Sequence, residues 1–333
     1  YLPNLAQIST NGMKQLLSAP ASNQTFGLQA MTEEIHATFQ IESIHSSRNS
    51  IRHILNGYAP RNEEESRIYG MKRGLDFIAD RQNTITEENL HQLYQISTGD
   101  YLPDEDRLLP DHFYRHDVVY VVGGEESREG LPAQQLPDAM KRLVDFANAK
   151  DGINELHKAA ILHFAFAYDH PYFDGNGRTA RLLHLWYLVQ QGYPAALFTP
   201  FSRYIAESKA AYYKAYDRVE KNALISGYTD VTPFLSYFCN EVYNRLQVDV
   251  IPPQADLQVY QTALANGKIT EKERLLWEYV LSAYGTEEFT TKQLEKDFRN
   301  AAYATIRTFV MKFHEMGLLA TRKAGNRVYY KVR

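Results

Sequence analysis

The most informative part of the chain is a run of twelve residues, His-Pro-Tyr-Phe-Asp-Gly-Asn-Gly-Arg-Thr-Ala-Arg, from His170 to Arg181. His170 is the group in this run that can accept a proton near neutral pH. Asp174 offers a hard carboxylate oxygen that suits a Mg²⁺ ion shared with phosphates. Arg178 and Arg181 are three residues apart, so on a helix they share one face, where two forked guanidiniums can grip a polyphosphate. This set of groups fits attack by a hydroxyl on a nucleotide phosphate.

The elements around this run are predicted to be helices. Gly175 and Gly177 allow the backbone to approach a ligand closely, and the apolar run 182–189 that follows predicts a helix ending near Gly192. A glycine loop that opens a helix presents free N–H groups and the positive end of the helix dipole, which suits phosphate. The preceding segment, 154–168, is apolar on most sides and is therefore expected to lie at the centre of its domain.

Other segments complete the expected frame. Helical periodicity predicts helices over 63–78, 86–97 and 136–149. The short β-branched run from Asp117 to Val122 reads as a strand that enters a turn at Gly123 and Gly124. The charged stretch that follows predicts a hairpin or flap.

The twelve-residue run resembles the signature of the Fic family, His-Pro-Phe-x-Asp/Glu-Gly-Asn-Gly-Arg-x-x-Arg. Tyr172 replaces the usual Phe and keeps an aromatic anchor. The resemblance extends from the N-terminal helices to about residue 245. It includes Tyr114-Arg115 before the predicted flap strand, and Ser202 and Tyr212-Tyr213 after the motif.

The resemblance implies a protein adenylyltransferase that uses ATP and Mg²⁺ to place AMP on a Ser, Thr or Tyr hydroxyl of a target protein or of itself. It implies His170 as the general base and Asp174 as the Mg²⁺ ligand. The nucleotide-binding residues that it implies in the motif are Gly175, Asn176, Gly177, Arg178 and Arg181. It also implies the flap residues Val122, Gly123 and Gly124, which would clamp the target by edge-strand pairing. Tyr212 or Tyr213 would line the adenine pocket. Doc-type relatives, which act as kinases, carry Lys where this chain has Gly177, so glycine favours nucleotide transfer.

An upstream segment suggests a built-in inhibitor. Thr38 and Glu42 are four residues apart, hence on one helical face, and a carboxylate there could bind an arginine needed for the γ-phosphate. The segment resembles the Fic inhibitory motif, Ser/Thr-x-x-x-Glu-Gly/Asn, with Ser43 in place of the usual Gly or Asn. The resemblance implies a pair between Glu42 and Arg181; the alternative is a surface glutamate on an amphipathic helix.

Composition sets broad limits. The 333 residues carry a net charge of −4 and a single cysteine, Cys239. The chain therefore forms no disulfide within itself, and a reducing, cytoplasmic setting is expected. No run approaches the roughly 20 apolar residues that span a bilayer, so no membrane association is expected.

The C-terminal part has a different charge. Residues 289–333 hold ten Lys or Arg against three Asp or Glu, a net +7. Two short helices followed by a hairpin with a turn at Gly325-Asn326 resemble a winged helix, with Thr305, Arg307 and Lys312 on its second helix. Its basic wing residues are Arg322, Lys323 and Arg327. DNA phosphates and a docking protein are both open as its partner.

The prediction is a mostly α-helical protein with a Fic helical-bundle core, a small β-hairpin flap and a C-terminal winged helix-turn-helix domain. The predicted regions are an N-terminal helical region with the inhibitory helix (1–85), the Fic core (86–250), a linker (251–268) and the winged helix (269–333). Two alternatives to AMP transfer stay open: a DNA-binding regulator whose Fic region senses nucleotide, and an enzyme that removes AMP. A homodimer is a further expectation.

Overall fold

The computed structural model describes residues 27–121, 128–249, 254–284 and 287–333. These residues form two compact units, one from Thr32 to Asp249 and one that comprises the residues up to Met31 together with those after 249. The structure is mostly helical, as predicted.

Among the described residues, four α-helices precede the first strand. They are α1 (Gly27–Ile41), α2 (Arg48–Leu55), α3 (Glu63–Ala79) and α4 (Glu87–Ser97). Ser47, Asn62 and Thr86 cap the last three, each side chain accepting a hydrogen bond from a backbone N–H of the first turn. The helices predicted over 63–78 and 86–97 are confirmed within one residue.

A two-stranded antiparallel hairpin follows. It consists of β1 (Tyr120–Val121) and β2 (Arg128–Glu129), with Tyr120 opposite Glu129 and Val121 opposite Arg128. The strand predicted from Asp117 is thus shorter in the described residues. The predicted flap residues Val122, Gly123 and Gly124 lie outside the described part of the chain.

The centre of the first unit is a helical pair around the motif. After α5 (Leu136–Asn148), the chain forms α6 (Glu155–Asp169) and α7 (Asn176–Gln190). Both α6 and α7 are buried along most of their length, as the apolar pattern predicts. The loop 170–175 between them carries the first half of the motif.

The first unit ends in a run of helices that follows the motif. They are α8 (Phe201–Glu207), α9 (Lys209–Ser226), α10 (Thr232–Tyr237), a π-helical turn (Phe238–Tyr243) and α11 (Asn244–Asp249).

The second unit has its own core. Its elements are α12 (Gln254–Ala265), α13 (Glu271–Ala283), α14 (Thr291–Phe298), α15 (Tyr303–Glu315), β3 (Leu319–Ala324) and β4 (Arg327–Val332). Phe289 pairs with Tyr330 as an isolated bridge beside the hairpin. This order matches the predicted helices and hairpin, while the assignment as a winged helix stays a prediction.

Two features of the second unit concern the predicted linker and the basic residues. Helix α12 occupies most of the range 251–268 that was predicted as a linker, and Ala263 of α12 joins the core of this unit. Lys312 on α15 donates to Glu273, and Arg322 pairs with Glu288. In the described residues, no helix is both long and apolar enough to cross a bilayer.

Candidate active site

The motif loop is shaped by two residues in the left-handed backbone region. His170 ends α6 with a φ of 55°, and Gly175 precedes α7 with a φ of 80°. A side chain at Gly175 would also collide with the methyl group of Thr98. Glycine is therefore required at this position by conformation and by space.

Hydrogen bonds and stacking hold the loop rigid. The side-chain amide of Asn176 accepts from the backbone N–H of Tyr172 at 2.9 Å and donates to its carbonyl at 2.8 Å. The Tyr172 ring is fully buried and stacks on Tyr94 with ring centroids 3.5 Å apart. Tyr172 thus provides the aromatic anchor that its position predicted.

Arg115 ties the loop to the base of the flap, a role that sequence reasoning missed. Its Nε donates to the carbonyl of His170 at 2.8 Å, and its Nη1 donates to the carbonyl of Asp117 at 2.6 Å. A third bond goes from its Nη2 to the carbonyl of Leu131, and the side chain is buried. A single arginine before a strand gave no signal of these long-range contacts.

The imidazole of His170 is set up as a base. Its Nδ1 lies 3.2 Å from the carbonyl oxygen of Ala167, which can only accept, so Nδ1 carries the proton and Nε2 keeps its lone pair. Burial, together with the nearby cations Arg128 and Arg115, lowers the pKa of His170 to about 4. The ring is therefore neutral at physiological pH.

The start of α7 supplies the anion site. N–H groups in the first turn of a helix have no acceptor within the helix and point out from its positive end. Gly177 and Asn176 lie in this first turn. Asp174 accepts from the Gly175 N–H at 2.6 Å and from Nη2 of Arg178 at 2.9 Å.

Glu42 meets both motif arginines. Its carboxylate accepts from Nε of Arg178 at 2.6 Å and from Nη2 of Arg181, whereas the sequence predicted a pair with Arg181 alone. Both arginines are nearly inaccessible to solvent, at 3% and 4% exposure. A Cβ atom at Gly177 would lie 2.6 Å from Oε1 of Glu42, so the carboxylate sits directly over the glycine turn.

The end of α1 places this carboxylate. The Ser43 N–H donates to the carbonyl of Gln40, and the Ile44 N–H donates to that of Phe39, which is the pattern of a Schellman C-terminal cap. Ser43 adopts a φ of 59°, a conformation that favours Gly or Asn. Glu42 thus lies one residue past the helix rather than within its last turn.

Three polar side chains at four-residue spacing dock α1 on the core. Glu34 accepts hydrogen bonds from the backbone N–H of Ser202 at 2.8 Å and from its hydroxyl. Thr38 accepts from Nε of Arg181 through its hydroxyl, and its carbonyl accepts from Nη2 at 3.1 Å. Glu42 completes the row.

A cavity of about 970 Å³ joins these groups. Its wall includes most of the motif residues predicted from the sequence. Tyr212 and Tyr213, for which the resemblance implies a place at the adenine, also line it. Arg178 is absent from the wall because its guanidinium lies beneath Glu42 and Asp174. Lining residues that sequence reasoning did not single out are Tyr120, Arg128, Lys209, Tyr216, Asp217 and Glu220.

The fit of a divalent ion rests on Asp174. Among the described residues, no cluster of three or more His, Cys, Asp or Glu could hold a metal by itself. Mg²⁺, however, is commonly bound by one carboxylate together with substrate phosphates. The Asp174 side chain is 49% exposed on the cavity, and each of its oxygens has one protein contact, so it suits a shared ion of this kind.

The sequence is similar to characterised protein families over part of its length. Residues 84–188 match the model of the Fic/DOC family. The protein adenylyltransferase Fic of Drosophila willistoni is 29% identical over 144 residues, 40% of this chain and 26% of that protein. The protein adenylyltransferase fic-1 of Caenorhabditis elegans is 30% identical over 181 residues, 52% of this chain and 31% of that protein. The matched segments thus span about a third or less of these relatives.

Solved structures share the fold. A Fic family protein from Desulfovibrio desulfuricans G20 aligns with a TM-score of 0.57 at 17% identity, covering 91% of this chain and 86% of that one. Fic-1 from C. elegans aligns with a TM-score of 0.55 at 20% identity, covering 74% and 73%. Residues 84–188 are thus similar to the Fic/DOC family model, and the solved structures of Fic proteins share the fold of this chain.

Proposed function

We propose that this protein transfers AMP from ATP to a hydroxyl of a protein, with His170 as the general base. The observation that carries the proposal is that a neutral imidazole, whose Nε2 is left as an acceptor, shares one cavity with a helix N-terminus and Arg181. The relatives named protein adenylyltransferases support the same reaction class.

The reaction follows from this arrangement. Nε2 of His170 takes the proton of the target hydroxyl while its oxygen bonds to the α-phosphorus of ATP. The bond between that phosphorus and the oxygen bridging to the β-phosphate breaks, and pyrophosphate leaves. The first-turn N–H groups at Gly177 and Asn176 face the negative charge of the departing phosphates.

Asp174 would hold Mg²⁺ against the phosphates, and the ion would neutralise their charge. Arg178 braces this carboxylate by its 2.9 Å bond, so the ligand oxygen is held in place before substrate arrives. The Asp174 carboxylate also receives the Gly175 N–H, which couples the metal ligand to the glycine turn.

The target would bind along the flap. The short hairpin β1–β2 lies beside His170, and β1 lines the cavity through Tyr120 and Val121. An extended peptide can add to such a hairpin through main-chain hydrogen bonds and bring a hydroxyl to the imidazole.

The Glu42 contacts support a second part of the proposal, autoinhibition. The carboxylate occupies both guanidiniums that would bind the terminal phosphates, and it lies over the glycine turn. Productive binding of ATP therefore requires these ion pairs to break. The buried contacts of Glu34 and Thr38 keep α1 docked and Glu42 in place.

Labelling with ATP tests the reaction. The protein is incubated with Mg²⁺ and ATP labelled at the α-phosphate, and covalent label is measured on a denaturing gel. Label on protein that disappears in His170→Ala, and persists in His112→Ala at an exposed histidine that does not line the cavity, supports transfer of AMP. Label from γ-labelled ATP instead would indicate a kinase, and no transfer to any protein would remove the proposal.

A DNA-binding regulator is the second candidate. Arg307, Lys323 and Arg327 are exposed on α15 and the hairpin and form no ion pair with any residue of the described chain. Binding of duplex DNA that weakens with rising salt would support this role. No shift of DNA mobility at low salt would leave protein docking as the role of this unit.

A further inference from the structure

A row of three polar side chains runs from the buried core to the cavity wall. Nε2 of His163, on α6, lies 2.9 Å from the hydroxyl of Tyr212, and this hydroxyl lies 3.3 Å from that of Tyr216. His163 is fully buried, while Tyr212 and Tyr216 line the cavity from α9.

The protonation of His163 follows from its surroundings. Burial lowers the pKa of His163 well below its usual value, so the ring is neutral and carries one N–H. Its Nδ1 has no hydrogen-bond partner among the described residues, and the rings of Phe234 and Phe238 pack beside it. A buried N–H without an acceptor is costlier than a bare lone pair, so the proton belongs on Nε2, which donates to Tyr212.

A second pair in the same core has a direction that the structure fixes outright. Tyr243 donates its hydroxyl to the carbonyl of Leu156 at 2.8 Å, so it can only accept from Nε2 of His184 at 2.8 Å. His184 is buried and its pKa is lowered to about 3 by burial, so it too is neutral with its proton on Nε2. Tyr243 does not line the cavity, which makes this pair a natural control.

Burial sets the direction of the remaining hydroxyls. Tyr212 accepts from His163 and is only 3% exposed, so its own proton can avoid being buried without an acceptor by donating to the oxygen of Tyr216. The Tyr216 proton then has no acceptor among the described residues, and its ring forms part of the cavity wall. The row thus presents a hydrogen-bond donor to whatever occupies the cavity.

The position of Tyr216 along α9 indicates which part of a nucleotide it meets. Lys209, at the start of α9, lies 3.5 Å from Ser43 beside the Glu42 turn, which marks the terminal-phosphate end. Tyr216 is seven residues further, about 10 Å along the helix axis at 1.5 Å per residue. This distance separates Tyr216 from the terminal-phosphate end of the cavity, so we infer that it meets the nucleoside part of a bound nucleotide.

We propose that the hydroxyl of Tyr216 donates a hydrogen bond to an acceptor atom of the bound nucleoside, and that His163 is the positioning residue that orients it. The proposal rests on the proposed nucleotide transfer. The shared chemistry is a neutral acceptor, either a ribose oxygen or a ring nitrogen of the base.

The first experiment compares Tyr216→Phe with the parent in the Glu42→Gly background, where the proposed inhibition is absent. We expect KM for ATP to rise about three- to tenfold, the loss of one neutral hydrogen bond, with kcat within about twofold. Tyr243→Phe, which removes the matching hydroxyl away from the cavity, should lower the melting temperature and leave KM unchanged. Equal KM values for Tyr216→Phe and its parent would overturn the proposal.

Nucleotide analogues then locate the acceptor. 2′-Deoxy-ATP, 3′-deoxy-ATP and the 1-, 3- and 7-deaza analogues of ATP each remove one candidate atom. One of them should weaken the parent by the same factor as Tyr216→Phe and have no further effect on that variant. If every analogue weakens both proteins equally, the tyrosine contacts none of these atoms and the proposal is overturned.

His163 is tested by rescue. His163→Leu should raise KM as Tyr216→Phe does, whereas His163→Gln, whose amide can donate to Tyr212, should restore it. Failure of Gln to restore KM in a folded variant would reduce His163 to a packing role. Calorimetric titration of each variant with Mg-ATP keeps the test independent of transfer: a protein that binds ATP without labelling any protein refutes the proposed function and not this contact.

Discussion

Replacement of Glu42 by glycine should raise enzymatic activity while it lowers stability. The carboxylate makes charge-assisted hydrogen bonds to two arginines that are 3% and 4% exposed. For Arg181 to bind a phosphate, its bond to Glu42 must break, and one such bond contributes about 1.5–3 kcal/mol. At about 1.4 kcal/mol per factor of ten, the variant should transfer AMP roughly 10- to 150-fold faster at limiting ATP.

The stability effect has the opposite sign. Removing one partner of a buried ion pair typically costs about 3–5 kcal/mol, but Arg178 keeps Asp174 and Arg181 keeps Thr38. We therefore expect the free energy of unfolding to fall by an amount near the lower bound of that range. Denaturant unfolding of the variant and the wild type measures this loss.

The assay is incorporation of label from α-labelled ATP into protein over time. Glu33→Gln is the matched control, since Glu33 lies on the same helix and pairs with Arg48 at the surface, away from the motif. Glu42→Gln should behave like Glu42→Gly, and His170→Ala added to either should abolish labelling. A wild type that labels as fast as Glu42→Gly would refute the inhibitory role of this carboxylate.

Three further predictions concern stability. Ser43→Gly should raise the free energy of unfolding, measured with denaturant, by about 1 kcal/mol, because Ser43 has a φ of 59° that favours glycine. A lower free energy of unfolding would show that contacts of the Ser43 side chain stabilise the fold by more than the backbone strain costs. Tyr172→Phe should leave thermal stability equal or raise it slightly, since the buried Tyr172 hydroxyl has no partner in the described chain; a clear fall in Tm would reveal one. The free energy of unfolding should fall as pH drops from 6.5 towards 4, by up to about 1.4 kcal/mol per pH unit for each of His163 and His184. The reason is that the pKa values of both histidines are lowered in the folded protein, so only the unfolded chain takes up protons in this range. Denaturant unfolding of a variant with Gln at both positions should show a weaker dependence on pH.

The sequence determined the local geometry of the motif. The residue types and spacing from His170 to Arg181 predicted a base, a metal carboxylate and a phosphate cradle, and the structure places these residues between two helices as expected. The geometry could be predicted because glycine conformations, helix starts and helix-face spacing are local properties, fixed by neighbours within a few residues. The helices over 63–79 and 87–97 follow from the same local rules.

Only the tertiary structure decided which distant groups meet this motif. Glu42 and Arg178 are 136 residues apart, and the row from His163 to Tyr216 joins two helices that are not adjacent in the chain. The contacts of Arg115 with the loop likewise span 55 residues. Long-range pairing depends on how helices pack, because a single polar residue carries no local sequence pattern that identifies its partner. The contact of Glu42 with Arg178 and the contact of Tyr212 with Tyr216 could therefore be found only from the fold.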